Sequence, residues 1–160
     1  MARLFRRILV PHDFSDHAAR ALALAVDLAV KHGGRLTVLH AVAPVYTDVA
    51  LAAGGAFWAP PGELLQKLQQ RLESLVARAT RRRRVRTECR VVMGRPFVEI
   101  NAAARRADVI VMGTSGRTGL SHVLLGSVAE RVVRRAPVPV LTVRAEATRA
   151  GGRRPRSRRR

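Results

Sequence analysis

Two short apolar runs joined by one amphipathic helix constrain the fold more than any other feature of this sequence. Ile8 to Val10 predicts one buried strand, and Arg35 to Val42 predicts another. Between them lies a predicted helix from about Asp16 to Lys31, capped by Ser15 and ended by the pair Gly33-Gly34. Its apolar residues recur on one face at Ala18, Leu22, Ala25 and Ala29. Because the connections are short, the unit predicts parallel strands with a right-handed crossover.

The rest of the chain continues this alternation of helices and strands. Its predicted elements are a helix marked by Leu65, Leu68, Leu72, Leu75 and Ala79, a strand from Arg86 to Val92, a helix from Pro96 to about Ala107, a strand from Asp108, a helix from about Ser127 to Arg135, and a strand from Pro137 to Arg144. Five strands alternating with four helices predict an α/β fold. We expect a three-layer, doubly wound, five-stranded parallel sheet with the strand order 3-2-1-4-5, which is Rossmann-like. The prolines of the last strand suit an edge.

Length and charge divide the chain into one domain and a tail. With 160 residues, 48% of them hydrophobic, we expect a single domain over residues 1–146 and a basic, disordered tail over 147–160. The net charge of +19 includes seven arginines in the tail and four at Arg81 to Arg84, which leaves about +8 elsewhere. No apolar run is long enough to span a bilayer and no secretion signal is evident, so we expect a cytoplasmic protein. The single cysteine, Cys89, is interpreted as an ordinary strand residue.

A candidate ligand site follows from the predicted strand order. In a doubly wound sheet the ligand lies at the carboxyl ends of the strands where the winding reverses, here between the first and fourth strands. Pro11 to Ser15 and Gly113 to Gly116 would meet there. Glycines let backbone N–H groups approach a phosphate, and Ser127 at a helix N-terminus adds a hydroxyl and further N–H groups. The pattern predicts nucleotide binding.

Five motifs in the same order resemble those of a known family. They are Ile8 to Ser15, Leu39-His40, Gly94-Arg95-Pro96, the glycine signature that runs from Gly113 and Gly116 to Gly126-Ser127, and Pro137 to Leu141. Over about Arg6 to Arg144 the sequence resembles the ATP-binding branch of the universal stress protein family. The resemblance implies an adenine nucleotide alpha hydrolase-like fold. It also implies a homodimer formed through the last strand, Val138 to Val143, whose apolar edge would be a liability if unpaired.

The resemblance implies a role for each candidate site residue. Asp13 would contact the ribose and a divalent metal ion, Mg²⁺ or Mn²⁺. The backbone at Ala41 or Val42 would meet the adenine of ATP, ADP or AMP, and Gly113 would lie against the ribose. The expected phosphate ligands are Gly116, Arg117, Gly126, Ser127 and Val128, and the remaining candidate residues are Pro11 and Met112.

Simpler interpretations exist for several of these residues. Asp13 could have no role beyond capping the first helix, and Arg117 could be a solvated loop residue. The glycines could serve simply to form a turn. We interpret His40 as packed in its strand and His12 and His122 as surface groups rather than bases. The aromatic residues of the long loop from Ala43 to Gly62 could cover a ligand or pack on the domain surface.

The sequence does not predict efficient catalysis. It lacks the G-x-x-x-x-G-K-[ST] phosphate loop and any set of residues that would activate a water molecule. We therefore expect a nucleotide-responsive regulatory protein of the stress response, with at most slow ATP hydrolysis. One alternative is unspecific nucleic-acid binding by the arginine-rich tail and Arg81 to Arg84. Another is a slow nucleotide hydrolase or transferase of related fold.

Overall fold

The computed structural model describes residues 5–43, 62–114 and 126–144. Within these ranges the chain alternates strands and helices as expected. The elements are β1 (Arg7–Pro11), α1 (Asp16–His32), β2 (Arg35–Val42), α2 (Gly62–Thr80), β3 (Arg86–Met93), α3 (Pro96–Ala104), β4 (Val109–Gly113), α4 (Ser127–Arg135) and β5 (Val140–Val143). The predictions for the loop at 44–61, for His122 and for the tail at 147–160 concern residues outside these ranges.

The five strands form one sheet in the order β3-β2-β1-β4-β5. Every neighbouring pair is parallel. The chain therefore builds outward from β1 to β3 and then returns to add β4 and β5 on the other side of β1. This confirms the predicted strand order and the reversal of winding between β1 and β4.

Helices cover the sheet on both faces and create two apolar cores. One core joins Ile8 and Val10 of β1 to α1 and to Leu72 and Val76 of α2. The other joins Leu9 of β1 to residues of α3 and α4. Because successive strand residues point to opposite faces, one short strand supplies both cores. The result is the expected three-layer, doubly wound architecture.

Local interactions fix where the elements begin and end. Ser15 Oγ accepts a hydrogen bond from Ala18 N at 3.2 Å, and Gly33 ends α1 with a φ of 59°. The carboxylate of Asp108 joins β4 to β1 because it accepts bonds from the Arg7 backbone N, Nε and Nη2 at 2.7, 2.9 and 2.7 Å. Burial alone would raise the pKa of Asp108, but these bonds from Arg7 hold it below its usual value.

Three details differ from the sequence-based expectation. The third helix ends at Ala104 rather than Ala107, since Ala107 N bonds to Ala104 O in a tighter turn. The last strand spans Val140–Val143 because the prolines before it have no N–H to donate, although Pro139 O accepts from Ile110 N. Ala79 is exposed, and Val76 takes its place in the core.

None of the helices in the described ranges has both the length and the apolar character needed to cross a membrane.

Candidate functional site

A cavity of about 300 Å³ opens at the carboxyl ends of β1 and β4, where the winding reverses. This volume falls in the usual range of small-molecule sites. Four groups of residues surround it. They are the residues that follow β1, the end of β4, the end of β2, and the first turns of α3 and α4. The topology thus brings Pro11 to Asp13 and Gly113 together, as the sequence predicts.

Asp13 lies in the cavity wall and also organises the turn into α1. Its Oδ1 accepts hydrogen bonds from Ser15 N, at 3.0 Å, and from Ser15 Oγ. Ser15 in turn accepts from Ala18 N and so caps the helix. The cap is therefore Ser15 itself, and Asp13 positions it. Asp13 is the one carboxylate among the described lining residues.

His12 is buried in the cavity wall, with 3% of its surface exposed, which makes the expectation of a surface histidine wrong. Its carbonyl oxygen accepts from His40 Nδ1 at 2.7 Å, and its Nδ1 accepts from Phe14 N at 3.0 Å. Since Nδ1 is an acceptor, the proton of the neutral ring lies on Nε2, which is buried and has no partner in the described parts of the chain. Burial lowers the pKa of His12 to about 4, helped by the nearby His40 and Arg71 and opposed by Asp13.

His40 is packed within β2, as expected. It is 8% exposed, and its ring lies 4.6 Å from the ring of Phe14. The guanidinium of Arg71 in α2 covers the same phenyl ring at 4.3 Å. These contacts hold the segment after β1 against β2 and α2. The cavity wall at this point is therefore built from packed rings rather than from a loose loop.

Thr114 and Gly126 bring the two ends of the glycine-containing segment to one point. Thr114 is buried, its N donates to Val143 O at 3.0 Å, and its carbonyl oxygen accepts from Gly126 N. Gly113 packs so closely against α1 that an added Cβ would lie 2.7 Å from Cβ of His17. The start of α4 is thereby held beside the end of β4.

The first turn of α4 offers backbone donors to the cavity. Gly126 is the N-cap and, as a glycine, has no side chain that could cap the helix. Ser127 and Val128 line the cavity. The first N–H groups of a helix have no partner within the helix, and the helix dipole makes this end attractive to anions. No arginine or lysine is found among the described lining residues. Binding of an anion here would therefore depend on peptide N–H groups.

One part of the cavity wall is mainly apolar. It is formed by Leu39, Ala41, Pro96, Ile100 and Met112. Ala41 lies in the wall, whereas Val42 does not, and the carbonyl oxygen of Val42 accepts from Gly94 N at 3.0 Å. An apolar slot next to a row of N–H donors suits a ligand with a flat ring at one end and negative charge at the other.

The structure brings together most of the residues singled out from the sequence. Eight of them line the cavity, namely Pro11, Asp13, Ala41, Met112, Gly113, Gly126, Ser127 and Val128. Val42 is not among the lining residues. Gly116 and Arg117 lie outside the described ranges.

Comparison with known proteins identifies the family. A model described as the universal stress protein family matches residues 4–144. The chain belongs to the universal stress protein family. A universal stress protein of Thermus aquaticus is 40% identical to it over 144 residues, which cover 88% of this chain and 100% of that protein. Another, from Methanocaldococcus jannaschii, is 36% identical over 143 residues and covers 88% of this chain and 83% of its own length.

Solved structures of universal stress proteins share this fold. The protein UspA of Lactobacillus plantarum superposes with a TM-score of 0.66 at 26% identity, covering 88% of this chain and 99% of its own. A universal stress protein crystallised in complex with cAMP superposes with a TM-score of 0.63 at 25% identity and covers 88% and 98% of the two chains.

Sequence reasoning missed three parts of the cavity wall. The sequence predicts a surface position for His12, whereas in the assembled fold its ring is buried and packs against Phe14. Thr114 has an ordinary side chain, and its importance comes from two backbone bonds that join distant segments. The sequence predicts that Pro96 and Ile100 lie in a helix, but their place in the wall depends on how α3 packs on the sheet. The Gly94-Arg95-Pro96 motif was the available signal for α3.

Proposed function

We propose that the cavity binds an adenine nucleotide, with ATP as the preferred ligand and ADP or AMP as alternatives. The observation that carries this proposal is the convergence of Asp13, Gly113 and the uncapped first turn of α4 around one cavity at the reversal of winding. A related universal stress protein binds cAMP, which also has an adenine, a ribose and a phosphate.

The proposed nucleotide lies across the cavity from β2 to α4. The adenine would occupy the apolar side next to the backbone of Ala41, because the carbonyl of Val42 is already bonded to Gly94. The ribose would lie between Asp13 and Gly113, with Pro11 and Met112 below it. Its phosphates would accept hydrogen bonds from Ser127 and Val128. Gly126, whose N–H already donates to Thr114 O, would contribute by having no side chain to obstruct the phosphates. Gly116 and Arg117 would complete the phosphate contacts by their resemblance to the family motif.

A divalent cation, Mg²⁺ or Mn²⁺, is proposed to accompany the phosphates. The described residues contain no group of three or more potential metal ligands. They therefore do not favour a metal site formed by protein side chains alone. Mg²⁺ is commonly held by one or two carboxylates together with substrate phosphates and water. Asp13 would supply the carboxylate, and the cation would neutralise phosphate charge in a cavity without an arginine or lysine among its described residues.

The regulatory role proposed for this protein follows from binding without evident catalysis. Ligand that binds only the folded state stabilises that state, and an occupied cavity would present a different surface to a partner. We propose a nucleotide-responsive protein of the stress response that acts in the cytoplasm as a homodimer. Hydrolysis of ATP would be slow at most.

Calorimetric titration with ATP and Mg²⁺ tests the proposal, and one pair of variants tests the site. Ser127→Asp places a carboxylate at the phosphate position, and the start of a helix tolerates an acidic residue. Ser74→Asp makes the same change on the exposed surface of α2. We expect saturable heat from the native protein, affinity at least about tenfold weaker for Ser127→Asp, and no change for Ser74→Asp.

Removal of the cation with a chelator is expected to weaken ATP binding more than AMP binding, since AMP has fewer phosphate charges to neutralise. Titrations with ATP, ADP, AMP and cAMP under the same conditions rank the ligands. The absence of saturable heat at millimolar concentrations of every one of them would remove the proposed function.

A further inference from the structure

Three arginines form a row at the end of the sheet opposite the cavity. Arg7, Arg35 and Arg86 are the first residues of β1, β2 and β3, and the strand register pairs Arg7 with Arg35 and Arg35 with Arg86. Adjacent strands lie about 4.8 Å apart, so the row extends over roughly 10 Å. We call these three residues the arginine row. In-register residues of parallel strands point to the same face, and here all three are exposed.

Two concave surfaces share the arginine row. One, of about 610 Å³, adds Arg6, Arg84 and the turn at Gly33-Gly34. The other, of about 310 Å³, lies towards α3 and adds Thr87, Glu88 and Arg106. The row is therefore the shared wall of one extended groove along the amino edge of the sheet.

The positive charge of this groove is only partly neutralised within the described chain. Arg7 pairs with Asp108 at 2.7 Å, whereas the described residues provide no ion pair for Arg35, Arg86 or Arg106. The run at Arg81 to Arg84 is also only partly neutralised. Arg83 pairs with Asp27 at 3.0 Å, whereas Arg84 lines the groove.

Like charges placed opposite one another on neighbouring strands destabilise a sheet. Arg35 and Arg86 are such a pair, and they lie on strands that hold their backbones rigidly. A bound anion would remove this repulsion. The arrangement is therefore unfavourable for the free fold and favourable for a ligand with several negative charges.

The lining indicates the chemistry of that ligand. A guanidinium group can hold two oxygens of one phosphate, and a row of them suits successive phosphates along a chain. The described residues that line the groove include no aromatic side chain for base stacking and none of the large exposed apolar residues. Glu88, whose carboxylate lies 4.0 Å from Arg90 Nε in the same groove, adds an acceptor for sugar hydroxyls, which inorganic polyphosphate lacks.

We propose that this groove is a second binding site, which holds the sugar-phosphate backbone of a nucleic-acid strand without reading its bases. It is separate from the nucleotide cavity, since the five residues of β1 place the two sites roughly 15 Å apart along the sheet. The proposal places the nucleic-acid contact on β1, β2 and β3 rather than on residues 147–160.

Fluorescence anisotropy with a labelled oligouridylate of fifteen residues tests the proposal on the full chain. The double variant Arg35→Gln with Arg86→Gln removes two charges from the row. The control, Arg20→Gln with Arg131→Gln, removes the same charge from exposed positions on α1 and α4. We expect the row variant to bind about fivefold or more weakly and to lower the slope of log K against log salt by about 1.4. Equal losses in both variants would assign the binding to net charge or to the tail and overturn the proposal.

Urea denaturation at low salt gives a readout that needs no ligand. Removal of in-register repulsion is expected to raise the midpoint for the row variant and to leave that of the control unchanged. A lower midpoint for the row variant would mean that the arginines stabilise the free fold, which contradicts the proposal.

Competition separates this site from other anion sites. Saturating ATP is expected to leave the affinity for oligouridylate unchanged, because the two ligands bind opposite ends of the sheet. Displacement of the oligonucleotide by ATP would overturn the proposal. So would binding of an inorganic polyphosphate of equal charge when neither oligouridylate nor oligothymidylate binds.

Discussion

His12 is a neutral side chain whose protonation opposes folding. Its pKa is about 4 in the folded protein because of burial, against 6.5 for the ordinary side chain. The unfolded chain therefore takes up the proton first as the pH falls. The stability that this neutral histidine retains above pH 6.5 is lost between pH 6.5 and pH 4. From pH 7 to pH 4.5 we expect the free energy of unfolding to fall by about 2 to 3 kcal/mol from this group.

The variant His12→Asn isolates this contribution. Its Oδ1 can accept from Phe14 N as His12 Nδ1 does at 3.0 Å, but it does not titrate. Urea denaturation of both proteins at a series of pH values gives the two profiles. The profile of the variant should be flatter by the amount given above, whatever its stability at pH 7. Parallel profiles would mean that His12 does not control the acid sensitivity of the fold.

Sequence position and the family resemblance predicted that Asp13 and Ser127 lie at the cavity, but they did not predict His12 or Thr114 there. Acidic and small polar residues next to strand and helix ends have few interpretations, so their sequence position is informative. The His12 ring packs against Phe14, and Phe14 is covered by Arg71, which is 59 positions from His12 in the sequence. Such a contact follows only from the assembled fold.

The approach of β4 to α1 depends on a glycine at the end of the strand. In Gly113→Ala the new Cβ would lie 2.7 Å from Cβ and 2.8 Å from the backbone C of His17, so the helix or the strand must shift. We expect a loss of about 1 to 3 kcal/mol in the free energy of unfolding, the usual cost of overpacking. Urea denaturation at pH 7 measures the loss.

Gly62→Ala is the matched control for this variant. None of the described residues lies within 4 Å of the Cβ that it would add at the start of α2, and alanine favours a helix. Its stability should equal or slightly exceed that of the native protein. If both variants lose stability equally, the close contact between Gly113 and His17 does not explain the loss.

Elements with clear periodicity were predicted well, and their ends less so. The apolar face of α1 was visible because Ala18, Leu22, Ala25 and Ala29 all enter the core, and each is buried. The end of α3 at Ala104 depends on the turn in which Ala107 N donates to Ala104 O. The start of β5 at Val140 depends on the register in which Ile110 N donates to Pro139 O. The meeting of the β1 and β4 ends was predictable because it follows from the order of connections alone.

The whole molecule separates its two proposed ligands by placing them at opposite edges of one sheet. The carboxyl edge carries helix N-termini and peptide donors, whereas the amino edge carries the arginine row. Both sites depend on β1, which is central in the sheet and supplies Pro11 at one end and Arg7 at the other. In the same strand order β5 is an edge strand, and within the described ranges it pairs with β4 only, so its outer edge is open there.

That open edge leads to the prediction of a homodimer. An unpaired strand edge is prone to association unless it is covered, and Leu141 of β5 is 38% exposed. Two copies joined through β5 would cover both edges by a self-complementary contact. Light scattering at tens of micromolar is expected to give twice the mass of the chain.

Leu141→Lys should give a monomer because burial of an ammonium group at the contact is costly. Val30→Lys changes an exposed valine of α1 (43% exposed) and should remain a dimer. A monomeric native protein would contradict dimerisation, and a dimeric Leu141→Lys would locate the contact away from β5.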